Sequence, residues 1–127
     1  MKLLTLAVFS VGLGFSQSND CDTSEKCHEA LKANPHSSLA HFRLGEMLVR
    51  SSNYQAAANE FSEALKGDLD PRWVEASAHV SLGKVFDATD QRNRALKEYR
   101  LALETNDNSH GALDEARKFI ETPHRRQ

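Results

Sequence analysis

Little in this 127-residue sequence is suited to chemistry. It has two cysteines, one tryptophan and three prolines, and its charges nearly cancel to a formal net −2. So small a charge offers no field for a polyanion, so nucleic acid is excluded as the expected partner. None of the six histidines stands in a His-x3-His or His-Glu-x-x-His spacing, and neither cysteine adds a ligand pair. Lys26-Cys27-His28 ends like a haem-attachment motif, but Ser24 stands where the first cysteine is needed. Asn106 to Gly111 resembles the start of a calcium loop. It carries a single carboxylate, and Arg117 occupies the position of the closing bidentate Glu. There is no Gly-x-Ser-x-Gly elbow and no phosphate-cradling glycine loop. No metal, no cofactor and no catalytic residue is expected, and the chain does not read as an enzyme.

A long hydrophobic run is also missing. The longest apolar stretch is Leu3 to Phe15, LLTLAVFSVGLGF, which falls short of the roughly 20 residues a spanning helix needs. Preceded by Met1-Lys2 and followed by Gly14-Phe15-Ser16, it reads as a signal peptide over 1–16. The expectation is export, to the periplasm or outside the cell, with no membrane span after cleavage. Residues 17–22 then form a leader. In an oxidising compartment Cys21 and Cys27 can pair. Six residues along a helix separate Cα atoms by about 9 Å, too far for a disulfide. Cys21 can therefore reach Cys27 only from outside the helix, folded back over its start. The alternative is a free Cys27 beneath an unattached leader.

What the sequence does contain is a repeat. HFRLGEMLVRSSNYQAAANEFSEAL starts at His41, and HVSLGKVFDATDQRNRALKEYRLAL starts at His79, 38 residues later. Laid over one another they share His41/His79, Leu44/Leu82, Gly45/Gly83, Ala57/Ala95, Glu60/Glu98, Ala64/Ala102 and Leu65/Leu103. Average composition would give roughly one or two chance identities. Within each copy the apolar residues step by three, four and seven, one face of a helix, in two runs separated by a polar break. Each copy is a helical hairpin, with Asn53 and Asp90 as capping candidates for the second helices. Glycine inside a helix costs about 1 kcal/mol against alanine. Its recurrence at Gly45 and Gly83 predicts a close helix crossing, with Ala57 or Ala95 opposite and Phe61 or Tyr99 filling space one turn on.

The pattern Leu44, Gly45, Leu48, Ala57, Phe61, Ala64, and again Leu82, Gly83, Phe86, Ala95, Tyr99, Ala102, resembles the tetratricopeptide repeat. His41 and His79 depart from it, standing where the family usually has a Trp-like residue, and the period of 38 exceeds the family's usual 34. The extra residues fall at Lys66 to Trp73, where Gly67 ends one helix and Asp70-Pro71 opens the next. The second repeat's first helix should run one turn longer than its counterpart. The resemblance implies an all-α fold: a right-handed α-α superhelical solenoid of stacked hairpins. The domain is expected over 23–121, with repeats at about 38–71 and 76–109. A partial repeat at 23–35 precedes them, opened by an Asp22/Glu25 capping box, and a capping helix at 109–121 follows. Six helices are expected near 23–33, 38–50, 54–66, 71–88, 91–104 and 110–121. Residues 122–127 read as a solvated tail.

The resemblance further implies a non-enzymatic module that binds a protein or peptide in a groove lined by the first helix of each repeat. By register the partner-binding residues are Leu39, Phe42, Glu46 and Val49, with Ser77, Val80, Ser81, Lys84 and Asp87 from the second repeat. Phe42 and Val80 are expected to face solvent. The other reading is an ordinary exposed helix face. The family's clamp for a terminal carboxylate has Lys and Asn where this chain has Phe42 and Glu46, which argues against carboxylate capture. An alternative role is structural, a subunit stacking with other repeat proteins in a larger envelope assembly. The near absence of apolar residues on the first helix beyond Cys27, Ala30 and Leu31 favours the groove.

Overall fold

The computed structural model describes residues 20–126. The expected signal peptide lies outside them, as does the first half of the leader, residues 17–19. The described chain is six helices and no strand: α1 (Ser24–Ala33), α2 (Ser38–Arg50), α3 (Tyr54–Lys66), α4 (Trp73–Ala88), α5 (Arg92–Glu104) and α6 (Ala112–Glu121). Every helix lies within two residues of its expected bounds. At 16 residues, α4 outruns the 13-residue α2, as the longer repeat period predicts. None of the described helices is long and apolar enough to cross a membrane.

Consecutive helices pack on one another, and each repeat forms a hairpin. In addition α2 touches α4 and α4 touches α6, whereas among the described residues α1, α3 and α5 do not touch each other. The first helices of the repeats thus form an inner layer and the second helices a wider outer one. That difference in spacing makes the stack curve, with α2, α4 and α6 on the inside.

The glycine crossing has a different occupant from the one expected. A Cβ on Gly45 would meet the Phe61 ring at 2.5–2.9 Å, and one on Gly83 would meet the Tyr99 ring at the same distances. The aromatic side chain itself fills the place a Cβ would take. Ala57 and Ala95 are fully buried but are not what approaches the glycine. The departure at His41 and His79 also resolves. Nδ1 of His41 lies 2.7 Å from Oε2 of Glu60, and Nδ1 of His79 lies 2.7 Å from Oε2 of Glu98. A polar brace between the two helices of each hairpin stands where a large apolar ring would otherwise pack.

The helix caps depart from expectation in four places. Thr23, not Asp22, caps α1, accepting from Lys26 N at 3.2 Å, while Asp22 pairs with the Lys26 ammonium. Asn53 stands at the N-cap of α3 but makes no side-chain capping bond. Asp90 adopts a left-handed backbone (φ 59°) and Gln91 is the N-cap of α5. The Asp70–Pro71 bond is cis, and α4 begins at Trp73 without a capping side chain.

The loop between α3 and α4 is instead held by Ser38, which is fully buried at the start of α2. Its Oγ donates to Ala64 O at 2.6 Å and accepts from Leu69 N at 2.8 Å. Asp68 accepts from Ser38 N, Asp70 N and the Asn34 amide. Burial works to raise the Asp68 pKa, but these bonds outweigh it and hold the carboxyl below its ordinary value. Gly67 is required in this loop because a Cβ would strike His36 O and Ser38 Oγ.

At the other end, Cys21 lies outside α1 and is bonded to Cys27, with Cα atoms 5.1 Å apart. The disulfide packs on Ala40 and Leu44 of α2. Beside it the Arg43 guanidinium grips Asp20 through two bonds, of 2.7 and 2.9 Å. That pairing, with the charge of Arg43, holds the Asp20 carboxyl below its usual range.

Candidate partner groove on the inner face

A groove of about 600 Å³ opens on the inner layer between the C-terminal halves of α2 and α4. Four of the nine expected partner-binding residues line it: Glu46 and Val49 from α2, Ser81 and Lys84 from α4. All four are part-exposed. They come together because the two helices open successive repeats and lie side by side, so equivalent registers meet. The groove's charges are already matched in part. Arg43 donates to Glu46 at 2.8 Å, and the Lys84 ammonium lies 3.7 Å from Glu115 and 5.7 Å from the centre of the Phe119 ring.

The other five expected residues are elsewhere. Leu39, Phe42 and Val80 are only 6%, 4% and 3% exposed and belong to the core, so the expectation that Phe42 and Val80 face solvent is corrected. Trp73, on the first turn of the long α4, packs edge-on against Phe42 at 5.6 Å, and the Phe61 ring lies 5.7 Å from Phe42 as well. Val80 is covered because α4 has α2 on one flank and α6 on the other, leaving it no free apolar face. Ser77 is part-exposed but lies outside the groove.

Asp87 has the most specific environment. Its side chain is 1% exposed while Tyr99, Arg92 and the chain at His124 cover it. Four bonds neutralise it: Tyr99 Oη donates at 2.8 Å, Arg92 Nη1 at 3.0 and 3.1 Å, and His124 N at 2.9 Å. A buried carboxylate is tolerable only when donors replace its water, and these do. Burial, reinforced by the bond to Asp87, pushes the Tyr99 phenol far above its ordinary value, so it stays a donor.

The groove's remaining wall was not read from the sequence. Tyr54, Ala88, His124 and Arg126 all line it. Residues 122–126 are exposed apart from the half-buried His124, as a solvated end would be, yet they make defined contacts. Arg92 Nη2 donates to Ile120 O at 2.7 Å, where α6 finishes, and the chain then crosses the C-terminal end of α4. His124 N donates to Asp87, the His124 ring meets Phe119 edge-on at 5.0 Å, Arg126 Nε donates to Ala88 O, and the Arg126 guanidinium sits 5.5 Å over the Tyr54 ring. Pro123 and the short distance from α6 were the only sequence signals, and neither indicates a direction. Among the described residues no group of three or more His, Cys, Asp or Glu side chains could hold a metal ion.

Comparison with known proteins agrees with this architecture. The sequence profile described as "Tetratricopeptide repeat" matches residues 17–106. Over 102 residues, 76% of this chain, the sequence is 29% identical to the nuclear autoantigenic sperm protein of Homo sapiens and 28% identical to those of Oryctolagus cuniculus and Bos taurus. The matched region spans only 13–14% of the length of those relatives. No solved structure matches.

Proposed function

The chain belongs to the tetratricopeptide-repeat family, and from that premise we propose that it is a protein-interaction module that holds an extended segment of a partner protein in the inner groove. The observation that carries this reading is the groove itself. A cleft of about 600 Å³ joins part-exposed Glu46, Val49, Ser81 and Lys84 of two successive repeats, giving a mixed apolar and charged wall long enough for several residues. Binding, not catalysis, is what such a wall can do. Phe42, Leu39 and Val80 act behind it, as the packing that fixes the spacing of α2 and α4.

The module acts after export, in the periplasm or outside the cell. Two features support this: the apolar run from Leu3 to Phe15 behind Lys2, and the buried Cys21–Cys27 bond, which suits an oxidising compartment. The experiment has two parts. The mass of the chain recovered from the exported fraction reports cleavage of residues 1–16. Affinity capture from the same fraction, with the parent and a Val49→Asp variant side by side, reports the groove. A partner retained by the parent and lost by the variant is the expected result; equal retention rejects the groove as the binding surface.

A further inference from the structure

We propose that the end of the groove beside α4 is a guanidinium site, made for an arginine on an extended partner segment, and that the chain's own residues 122–126 hold it until such a segment displaces them. This rests on the groove reading and names the chemistry it selects.

The site is built from three unlike parts. The first is the C-terminal end of α4. The last carbonyls of a helix lack intrahelical donors and carry partial negative charge. Val85 O, Phe86 O and Asp87 O are taken by Thr89, Gln91 and Asp90 amides, but among the described residues Ala88 O takes no backbone N–H. It accepts from Arg126 instead. Tyr54 is the second part, its ring face under the same guanidinium at 5.5 Å. A planar, weakly hydrated cation is the group such a face and carbonyl attract together. The third part is Asp87, which takes a backbone N–H two residues before the arginine, at 2.9 Å. That contact reads extended main chain, not side-chain identity. Together they recognise x-x-Arg in extended form, and any partner offering it competes for the same three contacts.

Residues 122–126 fill only this end. The wall of Glu46, Val49 and Ser81 remains open for the rest of a longer segment. A tether gives the intrachain occupant an effective concentration in the millimolar range, so a weak contact suffices to keep it seated. A partner binds with its apparent affinity reduced by the fraction of groove left free.

The test uses the full chain and a synthetic peptide, Ile-Glu-Thr-Pro-His-Arg-Arg, copied from residues 120–126. His124→Pro with Arg126→Ala removes the amide donor and the guanidinium from the chain and leaves every helix untouched. Arg126→Ala alone serves as a second, milder release. Binding is followed by amide chemical shifts at Asp87, Ala88 and Tyr54. The released chain should bind the peptide about tenfold tighter than the parent. The same peptide with its last arginine replaced by alanine should bind neither, and Tyr54→Leu should weaken the peptide in the released chain. Equal affinity for parent and released chain overturns the proposal, as does undiminished binding of the alanine peptide. A parent that dimerises with concentration, and is made monomeric by Arg126→Ala, would assign the site to a second copy and overturn it too. If these titrations fail while Val49→Asp still abolishes partner capture, the arginine site falls and the groove stands.

Discussion

The ring of Tyr99 occupies the space where Gly83 would carry a side chain: a Cβ on the glycine would fall 2.5 Å from Cε1 and 2.7 Å from Cδ1. Tyr99 cannot retreat, being fully buried and tied through its hydroxyl to Asp87. Gly83→Ala gains about 1 kcal/mol of helix propensity and, because the ring is held in place, loses about 2–3 kcal/mol to overpacking, the upper part of the usual range, so a net loss of about 1–2 kcal/mol is expected in denaturant unfolding. Gly45→Ala faces Phe61, which has no hydroxyl tether, and should lose less. Equal stability of Gly83→Ala and the parent would remove this crossing from the account.

Asp87 joins the core to the groove, because the carboxylate that satisfies Tyr99 also receives His124 N. Asp87→Ala leaves a buried phenol and Arg92 without their acceptor and should destabilise by roughly 3 kcal/mol. Tyr99→Phe removes one donor and should cost roughly 1 kcal/mol. Thermal unfolding of both variants checks the order, and a milder effect for Asp87→Ala than for Tyr99→Phe would contradict it.

The repeat made the hairpins, the long α4 and the glycine crossing legible, because apolar period and glycine register are properties of a single helix and its neighbour. What depends on longer contacts was not legible. Phe42 sits at a register that usually faces the groove, yet Trp73 covers it, and that contact exists only because the inserted loop brings the start of α4 over α2. The ring of Phe61 rather than Ala57 at Gly45 is a matter of side-chain direction, which spacing does not carry. Glu46, Val49, Ser81 and Lys84 line the groove at positions that the family resemblance implies. Arg126 over Tyr54 was not legible, since no periodicity connects an irregular segment to a helix from the other repeat.

The Cys21–Cys27 bond ties down α1, whose repeat lacks a first helix. Opening so short a loop in the unfolded chain should remove about 2 kcal/mol. Denaturation with and without reductant should show that loss in the parent and none in a Cys21→Ser, Cys27→Ser variant. Two titratable thiols in protein purified without reductant would contradict the bond.

Docking of residues 122–126 should depend on pH through His124. Burial lowers its pKa first, and the nearby Lys84 and Lys118 add to this, while Asp87 and Glu115 oppose it. The folded value therefore lies below the ordinary 6.5, and the released segment binds the proton more readily than the docked one. Docking is complete above the ordinary value and weakens as pH falls through it. Amide shifts at Ala88, followed from about pH 7.5 to about pH 5, should move toward those of the released chain. His124→Ala should lose this dependence; an unchanged profile would show that another group is responsible.

The groove is tested most directly by the affinity of the captured partner for two variants whose changes lie on its open wall, Val49→Asp and Ser81→Arg. Both positions are part-exposed, but Val49 also packs against the core, so Ser81→Arg should stay within about 1 kcal/mol of the parent and Val49→Asp should lose about 1–2 kcal/mol. The account predicts at least about a tenfold loss of partner affinity in each, equivalent to about 1.4 kcal/mol, with the fold intact. Parent-like affinity in both variants would contradict it.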